Sequence, residues 1–148
     1  MPMGGSVRVF VTPGGHGTGT VLIAGAIGDH GRTVRIAKDG KIDPNGNYGM
    51  TTLQNGSFIV NLTVVDGSGT SSKEICSYFF GATAPAAISS GTGLYKGISG
   101  TVNLSEWIGV LGSLYKSGAH EGQCNESNNA PVLDQAISVT GTGMVKFN

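Results

Sequence analysis

Glycine is the residue that most constrains how this chain can fold. Twenty-six of its 148 residues are glycine, more than twice the ordinary share of about 7%. Glycine destabilises a helix interior by about 1 kcal/mol relative to alanine, whereas turns, bulges and bent strands use its access to positive φ. The glycines fall between short runs of β-branched and aromatic residues. The chain is therefore expected to be an all-β protein with many turns.

Alternating segments separated by turn residues predict seven to nine strands. The clearest follows Asn55-Gly56, a strong hairpin signal, because Phe58, Val60 and Leu62 alternate with other residues along 57–65. The other predicted strands are residues 17–27, 33–37, 48–53, 72–83, 94–104, 105–115 and 134–147. Residues 105–115 also have helix-like apolar spacing, but their glycines favour a bent strand. Turns are predicted at 28–31, 38–41, 43–47 and 66–69, and a strand break at 84–87.

These elements predict one antiparallel β-barrel of about eight strands, with a β-sandwich as the alternative. Closure into a barrel would remove exposed sheet edges. The expected domain is residues 16–148. Residues 1–15 are expected to be an N-terminal segment that either is foreign to the natural protein or adds a strand.

The charge balance excludes several classes of partner. Nine Lys and Arg residues balance nine Asp and Glu residues, so the basic excess needed for nucleic acid or an anionic membrane surface is missing. No run of 18 apolar residues occurs, and no membrane span is expected. The three histidines are far apart in sequence, so we expect neither a metal site nor a cofactor.

Cys76 and Cys124 are the only cysteines. A disulfide between them would stabilise the fold by roughly 4 kcal/mol in the chain-entropy model; two inert thiols are the alternative. A disulfide, together with a share of charged residues of only 12%, favours a secreted protein. The first residues lack the basic and apolar regions of a signal peptide; a foreign segment that replaced such a signal is one interpretation.

Residues 91–101, Gly-Thr-Gly-Leu-Tyr-Lys-Gly-Ile-Ser-Gly-Thr, resemble the late-strand signature of the allene oxide cyclase and dirigent superfamily. Residues 25–29 are similar to the turn after the opening strand of such a barrel. The resemblance implies an eight-stranded, cup-like barrel with an apolar cavity, often assembled as a trimer. Members cyclise or guide reactive small molecules. No residue here matches the cavity carboxylate of the plant cyclase or the acidic pair of the dirigent proteins, so only the structural glycine signature transfers.

Three polar residues are candidates for catalysis. Glu74 is predicted on a strand face shared with Tyr78 and Phe80, where a carboxyl group in an apolar barrel interior could act as an acid or a base. The alternative is an outward-facing residue near a strand end. Asp29 and His30 follow the first predicted strand and could orient each other at a barrel mouth; ordinary turn chemistry is the alternative.

Aromatic residues are the candidates for ligand binding. Tyr78, Tyr95 and Trp107 could line a pocket for a small organic molecule, with core packing as the alternative. The leading hypothesis is a secreted barrel that binds a small hydrophobic molecule. If it is an enzyme, it would be a cofactor-independent cyclase or isomerase. The competing hypothesis is a non-catalytic extracellular structural protein that self-assembles. A homo-oligomer, trimer or dimer, is expected under both.

Overall fold

A computed structural model describes residues 3–62, 66–127 and 129–148 of the chain. It is an all-β structure, and no α-helix occurs within these ranges. Its nine strands are β1 (Gly5–Pro13), β2 (Thr18–Gly25), β3 (Asp29–Ile36), β4 (Tyr48–Leu53), β5 (Ser57–Leu62), β6 (Asp66–Ser72), β7 (Ser77–Ser89), β8 (Ile98–Gly112) and β9 (Val132–Phe147). Two short 3₁₀ turns, Gly15–Gly17 and Gly93–Tyr95, lie in the β1–β2 and β7–β8 connections.

Eight of the strands close into an antiparallel barrel. The sheet runs in the order β5-β4-β3-β2-β1-β9-β8-β7-β6, and β5 also pairs with β7. This last pairing closes the ring, so the predicted barrel is confirmed. Gly5–Pro13 of the N-terminal segment form β1, which pairs with both β2 and β9.

The long strands reach beyond the barrel at one end. β6 pairs with residues 77–83 of β7, while β5 pairs with residues 86–89 of the same strand. β1 pairs with β9 only as far as Val139. β6, residues 77–83 of β7, residues 105–112 of β8 and residues 132–138 of β9 therefore form a four-stranded sheet beyond the barrel. We call it the extension.

The region around β6 and β7 corrects two predictions. Residues 66–69, predicted as a turn, begin β6, and the predicted break at 84–87 lies within β7. Pro85 lies on β7 between the stretches that pair with β6 and with β5. A residue without an N–H donor is tolerated where the ladder changes partners. The part of the predicted strand 57–65 beyond Leu62 lies outside the described residues.

Other strand boundaries also differ from the prediction. Asp29 and His30, predicted in a turn, begin β3. Tyr95, predicted in a strand, lies in a 3₁₀ turn. Residues 73–76 form a turn before β7, in which Cys76 has a φ of +47° and its N–H donates to the carbonyl of Lys73. Glu74 is therefore in a turn and not on a strand face.

The hydrophobic core fills the end of the barrel opposite the extension. Its buried side chains are Val7, Val9, Val21, Ile23, Leu53, Phe58, Ile88, Tyr95, Ile98, Val102 and Val145. They come from β1, β2, β4, β5, β7, β8 and β9 and from the 3₁₀ turn that precedes β8. We call this end the closed end and the other the open end.

The predicted disulfide between Cys76 and Cys124 is confirmed, with Cα atoms 5.2 Å apart. It joins the β6–β7 turn to the β8–β9 connection at the far end of the extension. Gly112 at the end of β8 donates its N–H to the carbonyl of Cys76. The disulfide thus fixes the part of the sheet that the barrel does not enclose. Among the described residues, no helix has the length and the apolar character needed to cross a membrane.

Candidate functional site

A cavity of about 550 Å³ occupies the barrel between the core and the open end. Its floor is formed by Phe58, Ile88 and Val102, which also belong to the core. Its upper wall includes Phe80, Val139 and Leu104. Eight strands enclose an interior that side chains can just fill or that can hold one small ligand, and this barrel is filled at only one end.

Small residues on the inner wall leave this space open. Ala82, Ala84 and Ala86 alternate along the inward face of β7, and Gly49 lines the cavity from β4. A Cβ atom on Gly49 would lie 3.2 Å from Oγ1 of Thr33 and 3.9 Å from Cβ of Val60. The cavity exists because these positions carry little or no side chain where the core carries Phe, Ile and Val.

The second half of β3 places polar residues inside the barrel and apolar residues outside, whereas His30 and Arg32, earlier on the strand, are exposed on the outer face. Thr33 and Arg35 line the cavity, whereas Ile36 is buried at 4% exposure on the outer side. The β3–β4 connection covers Ile36, since Ile36 forms an isolated bridge with Ile42 and Asp43 N–H donates to the carbonyl of Arg35. The connection therefore lets β3 reverse the usual alternation.

Arg35 is held at the open end by two connections. Its Nε–H donates to the carbonyl of Gly46 at 2.7 Å. The β1–β2 turn packs on its aliphatic stem, because a Cβ atom on Gly17 would lie 3.1 Å from both Cβ and Cγ of Arg35. Arg35 as a whole is half-buried, and its Nη groups have no hydrogen bond or ion pair with another described side chain.

Glu106 is the acidic residue of the cavity lining; it lies where β8 passes from the barrel into the extension, on the face that lines the cavity. Four strand-to-strand steps separate β3 from β8 in either direction around the ring. Arg35 and Glu106 therefore lie on opposite walls at the open end. They are the two charged residues among the described residues that line the cavity.

The closed end contains a buried carboxylate, Asp29, which has several hydrogen-bond donors, whereas Glu106 has none among the described residues. Asp29 is 7% exposed, and its oxygens accept hydrogen bonds from the Tyr95 hydroxyl, the His30 N–H at 2.8 Å, the Asn55 N–H at 3.1 Å and the Gln54 N–H at 3.3 Å. The Asn55 side-chain amide adds another at 3.3 Å. This carboxylate ties β3 to the β4–β5 hairpin and to the 3₁₀ turn that precedes β8.

These hydrogen bonds set the pKa values of both groups. Burial alone would raise the pKa of Asp29, but the donors from Tyr95, His30, Asn55 and Gln54 outweigh it and lower the pKa to about 2. Burial, and next the hydrogen bond to Asp29, raise the pKa of Tyr95 well above its ordinary value. At neutral pH, an ionised Asp29 and a protonated Tyr95 form one satisfied cluster.

The glycine-rich segment 91–101 has a packing role at this end. Gly93 has a φ of +60°, and a Cβ atom there would lie 2.5 Å from the carbonyl oxygen of Asn55. Gly56 has a φ of +153°, and its Cβ would lie 2.2 Å from the carbonyl oxygen of Thr92. The two backbones approach closely enough to insert Tyr95 into the barrel, edge-on to Phe58 at 5.8 Å between ring centroids.

The structure separates the predicted site residues. Asp29 and Tyr95 lie together at the closed end, and His30 is exposed beside them on β3. Glu74 is exposed on a shallow groove near the disulfide, with Lys73 and Tyr115. Its carboxyl group does not face the barrel interior. The roles predicted for these residues stay predictions.

The two remaining aromatic candidates lie on opposite faces of the extension. Tyr78 lies on the same face of β7 as Phe80, two residues further from the barrel, and is 42% exposed. Trp107 is on the outer face of β8 and stacks on Phe79 at 6.2 Å between ring centroids. Of the two, Tyr78 is on the face that continues into the cavity wall.

Arg35 and Glu106 are the site residues that the sequence analysis missed. Residues 33–37 were predicted as a strand, and alternation places Thr33 and Arg35 on one face and Val34 on the other. That pattern ordinarily indicates an outward-facing Arg. A weak signal was available in the Pro and Gly residues of 43–47, a connection long enough to cover the outer face of β3.

Compared with models of known protein families, with curated proteins and with solved structures, the chain matches none of them.

Proposed function

We propose that this protein binds one small, largely apolar molecule in the cavity at the open end. The observation that carries the proposal is the unfilled cavity of about 550 Å³ between a packed floor and the open end. Ligand pockets commonly measure about 300–1,000 Å³, with apolar walls and few polar groups. Apolar side chains from β1, β2, β5, β7, β8 and β9 supply such walls.

Membership of the allene oxide cyclase and dirigent superfamily is part of this proposal. The eight-stranded antiparallel barrel and its cup-like cavity support it, as does the glycine signature at 91–101. If the protein is an enzyme, it would act without a cofactor. The cavity would hold a reactive conformer of the substrate and exclude water during cyclisation or isomerisation.

Fluorescence titration with the neutral apolar dye N-phenyl-1-naphthylamine tests the binding proposal. We expect saturable binding of one dye per chain to the wild-type protein. Ala84→Phe should abolish it, because a phenyl ring at this inward position of β7 fills the cavity. Ala87→Phe is the matched control, since Ala87 is exposed on the outer face of the same strand. Equal dye binding by both variants, or none by the wild type, would contradict the proposal.

A second candidate function is self-assembly through the extension. Phe79 and Trp107 stack on its outer face at 50% and 43% exposure, with Leu111 nearby on β8 at 47%. Exposed aromatic groups of this kind are typical of interfaces. We propose that a second copy of the chain covers this face, giving the expected homo-oligomer.

Native mass spectrometry at micromolar concentration tests this second candidate. We expect a discrete dimer or trimer that Trp107→Lys converts to monomer. Leu94→Lys is the control, because Leu94 is similarly exposed, at 54%, but lies at the closed end. A wild-type monomer, or an oligomer that Trp107→Lys leaves intact, would contradict assembly through this face.

Secretion is also a proposal. The Cys76–Cys124 disulfide supports it, because such bonds persist in oxidising compartments. Fractionation of the natural host, with immunodetection in the medium and in the cells, tests it directly. Protein found only in the reduced form inside cells would contradict it.

A further inference from the structure

Arg35 gives the cavity a fixed cationic group at its open end. The Nε–H bond to the Gly46 carbonyl at 2.7 Å and the packing of Gly17 on the stem hold the guanidinium from two sides. One of the five N–H donors of the group is used in this way. The end that carries Nη1 and Nη2 keeps a parallel pair of donors, which matches the two oxygens of a carboxylate.

We propose that the ligand of this cavity is an apolar carboxylic acid whose carboxylate binds Arg35. This inference rests on the proposed binding function and names its ligand class. The apolar part of the acid would extend toward the floor at Phe58, Ile88 and Val102. The head group would remain at the open end, between the β1–β2 and β3–β4 connections.

Glu106 distinguishes the position of an acidic head group from that of a basic one. It lies on the wall opposite Arg35, so a negative head group is repelled at β8 and attracted at β3. An amine would have the reverse preference. We favour the acid because Arg35 is fixed in place by two contacts, whereas the Glu106 carboxylate has no hydrogen bond to any described residue. Binding to a preorganised group loses less conformational entropy.

Displacement of N-phenyl-1-naphthylamine by three compounds with one ten-carbon chain tests this inference. The competitors are decanoic acid, decanol and decylamine at neutral pH. We expect decanoic acid to displace the dye at a concentration about tenfold or more below that of decanol, since charge-assisted hydrogen bonds are the stronger ones. Arg35→Met should bring the acid and the alcohol to similar concentrations. Arg32→Met, on the exposed outer face of the same strand, should preserve the preference for the acid.

The possible outcomes separate this inference from the proposed function. Failure of the dye to bind would contradict the proposed function itself. If the dye binds but decanoic acid and decanol displace it equally from the wild type, the carboxylate assignment is overturned. It is also overturned if Arg35→Met keeps the preference, or if decylamine is preferred. Should Arg35→Met fail to fold, Arg35→Lys keeps the charge without the paired donors and should retain only part of the preference.

Discussion

The closed and open ends of the barrel are built from the same strands, but they differ in how far the chain itself provides hydrogen-bond partners for their polar groups. At the closed end, the chain itself satisfies the buried carboxylate of Asp29 with donors from Tyr95, His30, Gln54 and Asn55. At the open end, Arg35 and Glu106 retain hydrogen-bonding capacity around an empty space. A polar group without a partner is costly when buried. The closed end is therefore organised for stability, and the open end is where we propose that a ligand binds.

Tyr95→Ala should produce the largest effect on this contrast. The substitution removes a ring packed edge-on to Phe58 and a donor to Asp29, so we expect a loss of about 4 kcal/mol in the free energy of unfolding. Phe80→Ala at the open end should cost about 1 kcal/mol, because this ring is only half-buried and lines a cavity. Urea unfolding of both variants measures the difference. Equal losses would remove the distinction between the ends.

Asp29→Asn should have the next largest effect and should change the pH dependence of stability. An amide places its own donors against those of Tyr95 and Asn55, and we expect a loss of about 2 kcal/mol at pH 7. The pKa of Asp29 is lowered to about 2, so its contribution is present above pH 4 and is lost as the pH falls toward 2. The wild type should lose stability in that window, and Asp29→Asn should lose less.

The raised pKa of Tyr95 predicts the opposite pH dependence, a loss of folding stability at alkaline pH. Its pKa is raised in the folded state, so its contribution is present below about pH 10, the ordinary tyrosine value, and is lost as the pH rises through the folded-state pKa. Thermal melting between pH 2 and 11 measures the loss in acid and the beginning of the loss in alkali. Tyr95→Phe serves as the control, since it cannot ionise. A wild-type melting temperature that stays flat below pH 4 would contradict the charge assignment of the closed end.

Alternation predicted β4, β5 and the barrel, because those features depend on local pattern and on the number of strands. The hairpin at Asn55-Gly56 and the run from Phe58 to Leu62 needed only turn chemistry and a period of two. The face of β3 could not be obtained in this way. Ile36 is outside because a connection folds over it, and Arg35 is inside for the same reason, so the face depends on a tertiary contact.

The cavity and the extension could not be predicted from the sequence, for a related reason. Ala82, Ala84 and Ala86 are compatible with a tightly packed barrel as well as with an empty one, and only their neighbours across the ring decide between the two. Pro85 ordinarily ends a strand, but here it lies where β7 changes partners. Asp29 resembled a turn residue because all its partners except the adjacent His30 N–H are 25 or more residues away in sequence.

Ala84→Phe should separate stability from binding at the open end. The added ring fills an existing cavity, so we expect the free energy of unfolding to change by less than about 1 kcal/mol, below the usual cost of overpacking a filled core. Dye binding should nevertheless be lost. Gly141→Phe is the contrasting variant, since Gly141 is buried and a Cβ atom there would already lie 2.6 Å from Cδ2 of Leu104. It should unfold the protein at lower urea, and equal stability of the two variants would contradict the unfilled cavity.

Glu106→Gln should have the smallest effect on stability and provides the closest comparison between the ends. Asp29 lies at the closed end of the barrel, and Glu106 lines the cavity where β8 enters the extension. Asp29 has donors from three segments of the chain, while Glu106 has none among the described residues. Replacing Glu106 by its neutral analogue leaves no donor unpaired, so we expect a change within about 0.5 kcal/mol. Chemical unfolding of Glu106→Gln and Asp29→Asn in parallel measures this contrast. A loss of stability at Glu106 as large as that at Asp29 would show that the open end is also organised for stability. That result would contradict the proposal that the cavity binds an external ligand.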